Sequence, residues 1–162
     1  MKKKILIFTT FLLVFVGGFS ACEGKEESVK KTYSTKSGRI DINENEFVIM
    51  KMLPENGFID SSVKSIIENH TKGTLTYGND FSLEYLNGTN WIPIELDLEF
   101  PAIELGLLAG ETREGLFNFS LIEKYNNGRN GKYRIVRNFG LYYNFPLGID
   151  SSFDLYMEFE IK

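Results

Sequence analysis

The sequence predicts an all-β fold, an antiparallel β-sandwich of seven to eight strands preceded by a signal peptide and a tether. Apolar residues recur at every second position far more often than at a helical spacing. Turn residues punctuate the chain about every ten residues. The start is basic, then apolar, then small, and a polar stretch follows it before the alternation begins. The chain has 162 residues, 43% hydrophobic and 14% aromatic, which suffices for one domain with a genuine core.

Residues 1–21 read as a leader. Lys2, Lys3 and Lys4 precede an apolar run from Ile5 to Phe19, which at fifteen residues is shorter than the roughly 20 needed to cross a bilayer. The tetrad Phe19-Ser20-Ala21-Cys22 resembles the lipobox of bacterial lipoproteins, with phenylalanine in place of the usual leucine. That resemblance implies cleavage before Cys22 and acylation of its thiol. Two or three acyl chains, at about 0.8 kcal/mol per buried methylene, would hold the chain stably at the extracytoplasmic face of the membrane.

Residues 22–43 are polar and small, without apolar periodicity, and are expected to form the lipidated start and a flexible tether. A coil of that length averages on the order of 25 Å end to end. Alternation then marks candidate strands at Phe47–Leu53, Ser62–Asn69, Phe81–Leu86, Asn90–Leu96, Ala102–Leu108, Gly115–Ile122, Lys132–Phe139 and Phe153–Ile161. In the last, Phe153, Leu155, Met157, Phe159 and Ile161 alternate with Asp154, Tyr156, Glu158 and Glu160, so one face is buried and the other wet. Asn56-Gly57, Asn87-Gly88, Asn127-Gly128 and Asn130-Gly131 tolerate positive φ and supply turns, with Asn87-Gly88 the best hairpin of the set.

Strands of this number between residues 44 and 162 suit two sheets sharing a core about 10 Å thick, with a closed barrel as the competing arrangement. Gly131-Lys132-Tyr133-Arg134-Ile135 favours the sandwich. A glycine, a tyrosine and a core residue two further on look like a tyrosine corner, in which the Tyr133 hydroxyl bonds nearby backbone.

Seven segments taken together resemble a bacterial immunoglobulin-like domain family. They are Ile67-Glu68-Asn69, Leu75-Thr76-Tyr77-Gly78, Phe81-Ser82-Leu83-Glu84, Gly88 followed by Trp91, Leu108-Ala109-Gly110-Glu111-Thr112, Gly131-Lys132-Tyr133-Arg134-Ile135-Val136 and Phe159-Glu160-Ile161. The resemblance runs from about Phe47 to Lys162. It implies an immunoglobulin-like fold in a lipoprotein of a low-GC, single-membrane bacterium, and no catalytic residue. The chain departs from the family pattern between Phe139 and Phe153, which is aromatic here.

Charge and composition narrow the chemistry. The net charge is −4, and without the three leader lysines 15 basic residues face 22 acidic ones, leaving −7. Such a field repels phosphate, so no nucleic-acid partner is expected. One cysteine and one histidine leave no disulfide framework and little for zinc or imidazole catalysis. No Gly-x-Ser-x-Gly elbow accompanies His70, which reads as an exposed turn residue. Oxygen ligands at Asp41, Asn43, Glu44 and Glu46 match no calcium loop, and no phosphate-binding glycine loop occurs. No metal and no cofactor is expected.

Surface recognition remains, so the expected function is that of a non-catalytic binding or structural module. Phe139 to Gly148 is expected to be a loop between the last two strands, where tyrosine and phenylalanine give large contacts at little entropic cost. Tyr142, Tyr143 and Phe145 are the candidate contact residues, with Trp91 a further one; the partner is a protein or cell-envelope ligand. The same rings can instead fold back to complete the core. Two alternatives from other classes are an inhibitor of secreted proteases and a hydrolase built on paired carboxylates.

Overall fold

The computed structural model describes residues 31–58, 62–144 and 151–162. Within them lie twelve strands and one helix: β1 (Thr32–Lys36), β2 (Gly38–Asn43), β3 (Glu46–Leu53), β4 (Asn56–Phe58), β5 (Ser62–Asn69), β6 (Thr74–Gly78), β7 (Ser82–Asn87), β8 (Asn90–Ile94), β9 (Glu104–Leu107), β10 (Thr112–Asn118), α1 (Ser120–Asn126), β11 (Gly131–Tyr142) and β12 (Ser151–Ile161). They form two antiparallel sheets. The smaller has the order β10-β5-β3-β2; the larger runs β4-β1-β12-β11-β6-β9, with β7 also on β11 and β8 on β7.

Twelve strands exceed the eight expected by four, β1, β2, β4 and β6, and the separation of β6 from β7 has a simple cause. One flank of β11 is covered by β12 along its length, and the other is shared by β7, opposite Tyr133–Val136, and β6, opposite Gly140–Tyr142. Between the pairs Thr76↔Gly140 and Ser82↔Val136 one side advances six residues and the other four. The two extra residues bulge out and break one long strand into two.

The sandwich also begins earlier than expected. Residues 32–43, read as tether, form β1 against β12 and β2 against β3. Thr32 N–H donates to the Lys162 carbonyl at 3.0 Å and Lys162 N–H returns to Thr32 at 2.9 Å. The chain passes from one sheet to the other at Gly38, where a Cβ would stand 1.8 Å from the Tyr156 carbonyl oxygen. Only glycine permits that approach. Residues 22–30 lie outside the described residues.

Two further expectations change. Ser120–Ile122 is helical, not the end of a strand; α1 buries Ile122 and stops at Asn127 in the left-handed conformation, so Asn127-Gly128 ends a helix instead of turning a hairpin. Phe139–Tyr142 continues β11 instead of opening a loop, and Phe139 and Leu141 are fully buried. The β7–β8 hairpin turns through Gly88 and Thr89, with Gly88 at φ +63°.

Inward residues of both sheets meet in one core. Its densest part is aromatic: Phe159 stacks on Tyr133 at 5.4 Å and meets Phe117 at 5.6 Å and Phe119 at 5.8 Å, while Tyr33 lies 4.6 Å from Phe119. Tyr133 is wholly buried, and its hydroxyl donates to the Arg129 carbonyl four residues upstream and accepts from Asn126 Nδ2 at 2.9 Å. At the other end a buried amide replaces the rings. Asn69 Nδ2 donates to the carbonyls of Gly73, Leu107 and Leu108 at 2.9–3.0 Å, and its Oδ1 accepts from Thr71 N–H and Oγ1. One side chain thereby fastens β5 of the smaller sheet to β9 of the larger.

Candidate binding surfaces

The candidate contact residues fall at opposite ends of β11. Tyr142 is half-buried at its end, and Tyr143, just beyond, is 42% exposed with its hydroxyl donating to Glu46 Oε2 at 3.0 Å. Glu46 itself is buried and accepts from Lys72 N–H at 2.9 Å. That backbone bond, then the Asn43 side chain and Tyr143, hold its carboxyl below the ordinary carboxylate value. Tyr143 is thus fastened to the body of the sandwich while part of its ring faces water. Phe145 and Cys22 lie outside the described residues.

Trp91 stands on β8, at the end where β11 begins, on the outer face of the larger sheet. Outward positions alternate with the core stripe, so Glu84 on β7, Arg134 on β11 and Tyr156 on β12 share that face. The Arg134 guanidinium lies 4.6 Å from the Trp91 ring centroid and 5.3 Å from that of Tyr156, and it pairs with Glu84. Leu86 and Val136, both half-buried, occupy outward positions beside them. A cation in contact with both rings holds them together as an amphipathic cluster on this face. Tyr156 remains 48% exposed. The alternation reading had placed Tyr156 on the wet side of its strand but not beside Trp91, because their proximity depends on the register of four strands.

His70 is exposed, stacked on Phe47 at 4.4 Å, with Nε2 2.9 Å from Glu68 Oε2. Asp41 pairs with Arg39, and Asn43 Oδ1 accepts from Asn45 N–H. Among the described residues no three His, Cys, Asp or Glu side chains group closely enough to hold a metal ion. Among them, too, no helix is long and apolar enough to cross a membrane.

Two facing antiparallel sheets with a buried tyrosine bonded back to the chain before its strand already have the outline of an immunoglobulin-like sandwich. A family model described as a bacterial Ig-like domain matches residues 45–160. The chain belongs to that family. The Ig-like match opens after β2, so β1 and β2 precede it. Comparison of the Ig-like chain with curated proteins and with solved structures yields no match. Ig-like domains of this kind are generally non-catalytic modules and typically extracellular.

Proposed function

We propose that this Ig-like domain is a non-catalytic binding module of a cell-surface lipoprotein, held at the extracytoplasmic face of the membrane by acylation of Cys22, and that it grips a protein or cell-envelope ligand. The observation that carries the reading is the ring–cation–ring arrangement of Trp91, Arg134 and Tyr156 on an open sheet face. Tryptophan, tyrosine and arginine dominate interface energetics, and here they are fixed before a partner arrives, which lowers the entropic cost of binding. Tyr142 and Tyr143, at the far end of β11, are a second candidate contact, and Phe145 is the third candidate residue of that group. The leader and lipobox of residues 1–22 support the location.

The test has three arms. Trp91→Ala combined with Tyr156→Ala should weaken capture of envelope material by the purified chain at least tenfold while the melting temperature stays within a few degrees. Unchanged capture, with loss on Tyr142→Ala and Tyr143→Ala, would move the contact to the other end. Fatty-acid labelling should vanish in Cys22→Ser; persistence of the label would remove the anchor. Stoichiometric blockade in a panel of secreted proteases would replace the reading with that of an inhibitor.

A further inference from the structure

The inward stripe of β11 reads Tyr133, Ile135, Arg137, Phe139, Leu141: four buried apolar or aromatic side chains and, at the centre, an arginine. Arg137 sits where the partner strand bulges, and its Nη1 donates to the Gly78 carbonyl at 3.0 Å. That accounts for one of five donors. The guanidinium lies 5.9 Å from the Tyr77 ring centroid and 5.7 Å from that of Phe81. Burial presses against its charged form, eased by Tyr77 and Asp80.

Across the sandwich the smaller sheet leaves room for something opposite it. The inward positions of β10 are Arg113, Gly115 and Phe117, facing Ile67, Ser65 and Val63 of β5. Glycine and serine stand where the rest of the sheet carries large apolar residues, and a cavity of about 120 Å³ opens there. Its walls include Met50, Ile67, Phe117 and Ile135, and Arg113 from the smaller sheet and Arg137 from the larger also line it. The Tyr77 hydroxyl feels both guanidinium charges. The one carboxylate lining the mouth, Glu114, is paired with Lys64 at 2.7 Å. Among the described residues neither Arg113 nor Arg137 enters an ion pair with a carboxylate. Two guanidinium groups outside any close ion pair, beside a partly apolar recess in a protein of net charge −4, are an unusual pairing.

We infer that this cavity binds a carboxylate with a short apolar body, the acid on Arg137 and Arg113 and the body against Ile67, Met50 and Phe117. Guanidinium geometry matches a carboxylate, and Met50, Ile67 and Phe117 offer an apolar body a contact that a fully hydrated anion such as phosphate cannot use. An apolar cavity of about 150 Å³ holds benzene, so this one takes a body of about four or five carbons. Free short-chain acids and a peptide chain ending in an aliphatic residue both present that chemistry. The site is separate from the outer face of Trp91, and its test does not depend on that face.

Equilibrium dialysis of the full chain in detergent against 3-methylbutanoate tests it, with 3-methylbutanamide and inorganic phosphate as controls. The acid should bind saturably at one per chain, with the amide and phosphate at least tenfold weaker. Gly115→Val fills the recess and Arg113→Met removes a charge from an edge strand; each should cut acid binding at least tenfold with the circular dichroism spectrum retained. Equal binding of acid and amide, equal binding of phosphate, undiminished binding in the folded variants, or no saturable binding of any probe would each overturn the inference. If a variant does not fold, the acid-to-amide ratio of the unaltered chain decides alone. Gly-Gly-Leu with a free carboxyl, set against its amide, separates the sources. Tighter binding than the free acid assigns a chain terminus, and weaker binding assigns the acid itself; either supports a carboxylate site.

Discussion

Two stretches of the same strand, two inward positions apart, solve the interior in opposite ways. Around Tyr133 the sandwich is filled by interlocked rings from β1, β10, β11 and β12. Around Arg137 it is propped by a charge, a bulge and a pair of small residues, and the far end is fastened by the Asn69 amide. The difference teaches where this Ig-like domain can spare stability. Ring packing is densest where β1 and β12 close the fold, and space is left where the long strand breaks.

The largest effect should come from Phe159→Ala, which removes a ring contacting three others and should cost about 3–5 kcal/mol in urea unfolding. A loss under about 1 kcal/mol would erase the contrast between the two ends. Asn69→Ala should cost about 3 kcal/mol, because several buried backbone groups lose their partner together. If it cost nothing, packing alone would hold the far end. Tyr133→Phe keeps the ring and deletes the hydroxyl, so about 1–2 kcal/mol should be lost with little change in the near-ultraviolet spectrum.

The smallest effect is in pH dependence. Glu46 is held below its ordinary value of 4.5 in the folded chain, so its contribution is present at neutral pH and is lost as pH falls from 4.5 through the folded value. Glu46→Gln should therefore show a shallower fall in melting temperature below pH 4.5 than the unaltered chain. An identical acid profile would mean that other carboxylates, Glu68 among them, account for it.

Much of the fold was legible because alternation reports burial on one face. The predicted Ser62–Asn69 coincides with β5, and Leu155, Met157, Phe159 and Ile161 are all buried, with Phe153 partly so. Where that signal fails, the physical reasons differ. In β6, Leu75, Thr76 and Tyr77 are buried in succession, so no alternation exists to read. Residues Thr32–Asn43 are mostly polar, with only Tyr33, Ile40 and Ile42 as large apolar side chains, and their order comes from the strands they pair with. The helix α1 is too brief to carry a stripe. At the outer face Trp91 was identifiable alone, whereas Arg134 and Tyr156 needed the sheet register to reach it. Arg137 did carry a local signal: one charge on the parity of Tyr133, Ile135, Phe139 and Leu141 is out of place in a core stripe.

The crossing at Gly38 has a mechanical side. Because β1 is laced to the last strand and β2 to the opposite layer, sliding one layer over the other must rupture one of those two ladders. Tension entering at Thr32 along the strand axis, against a load held at the far end, acts on β1 and β12 lengthwise. Their cross-links then share the force in parallel instead of parting one after another, the stronger arrangement for a domain pulled by its amino end.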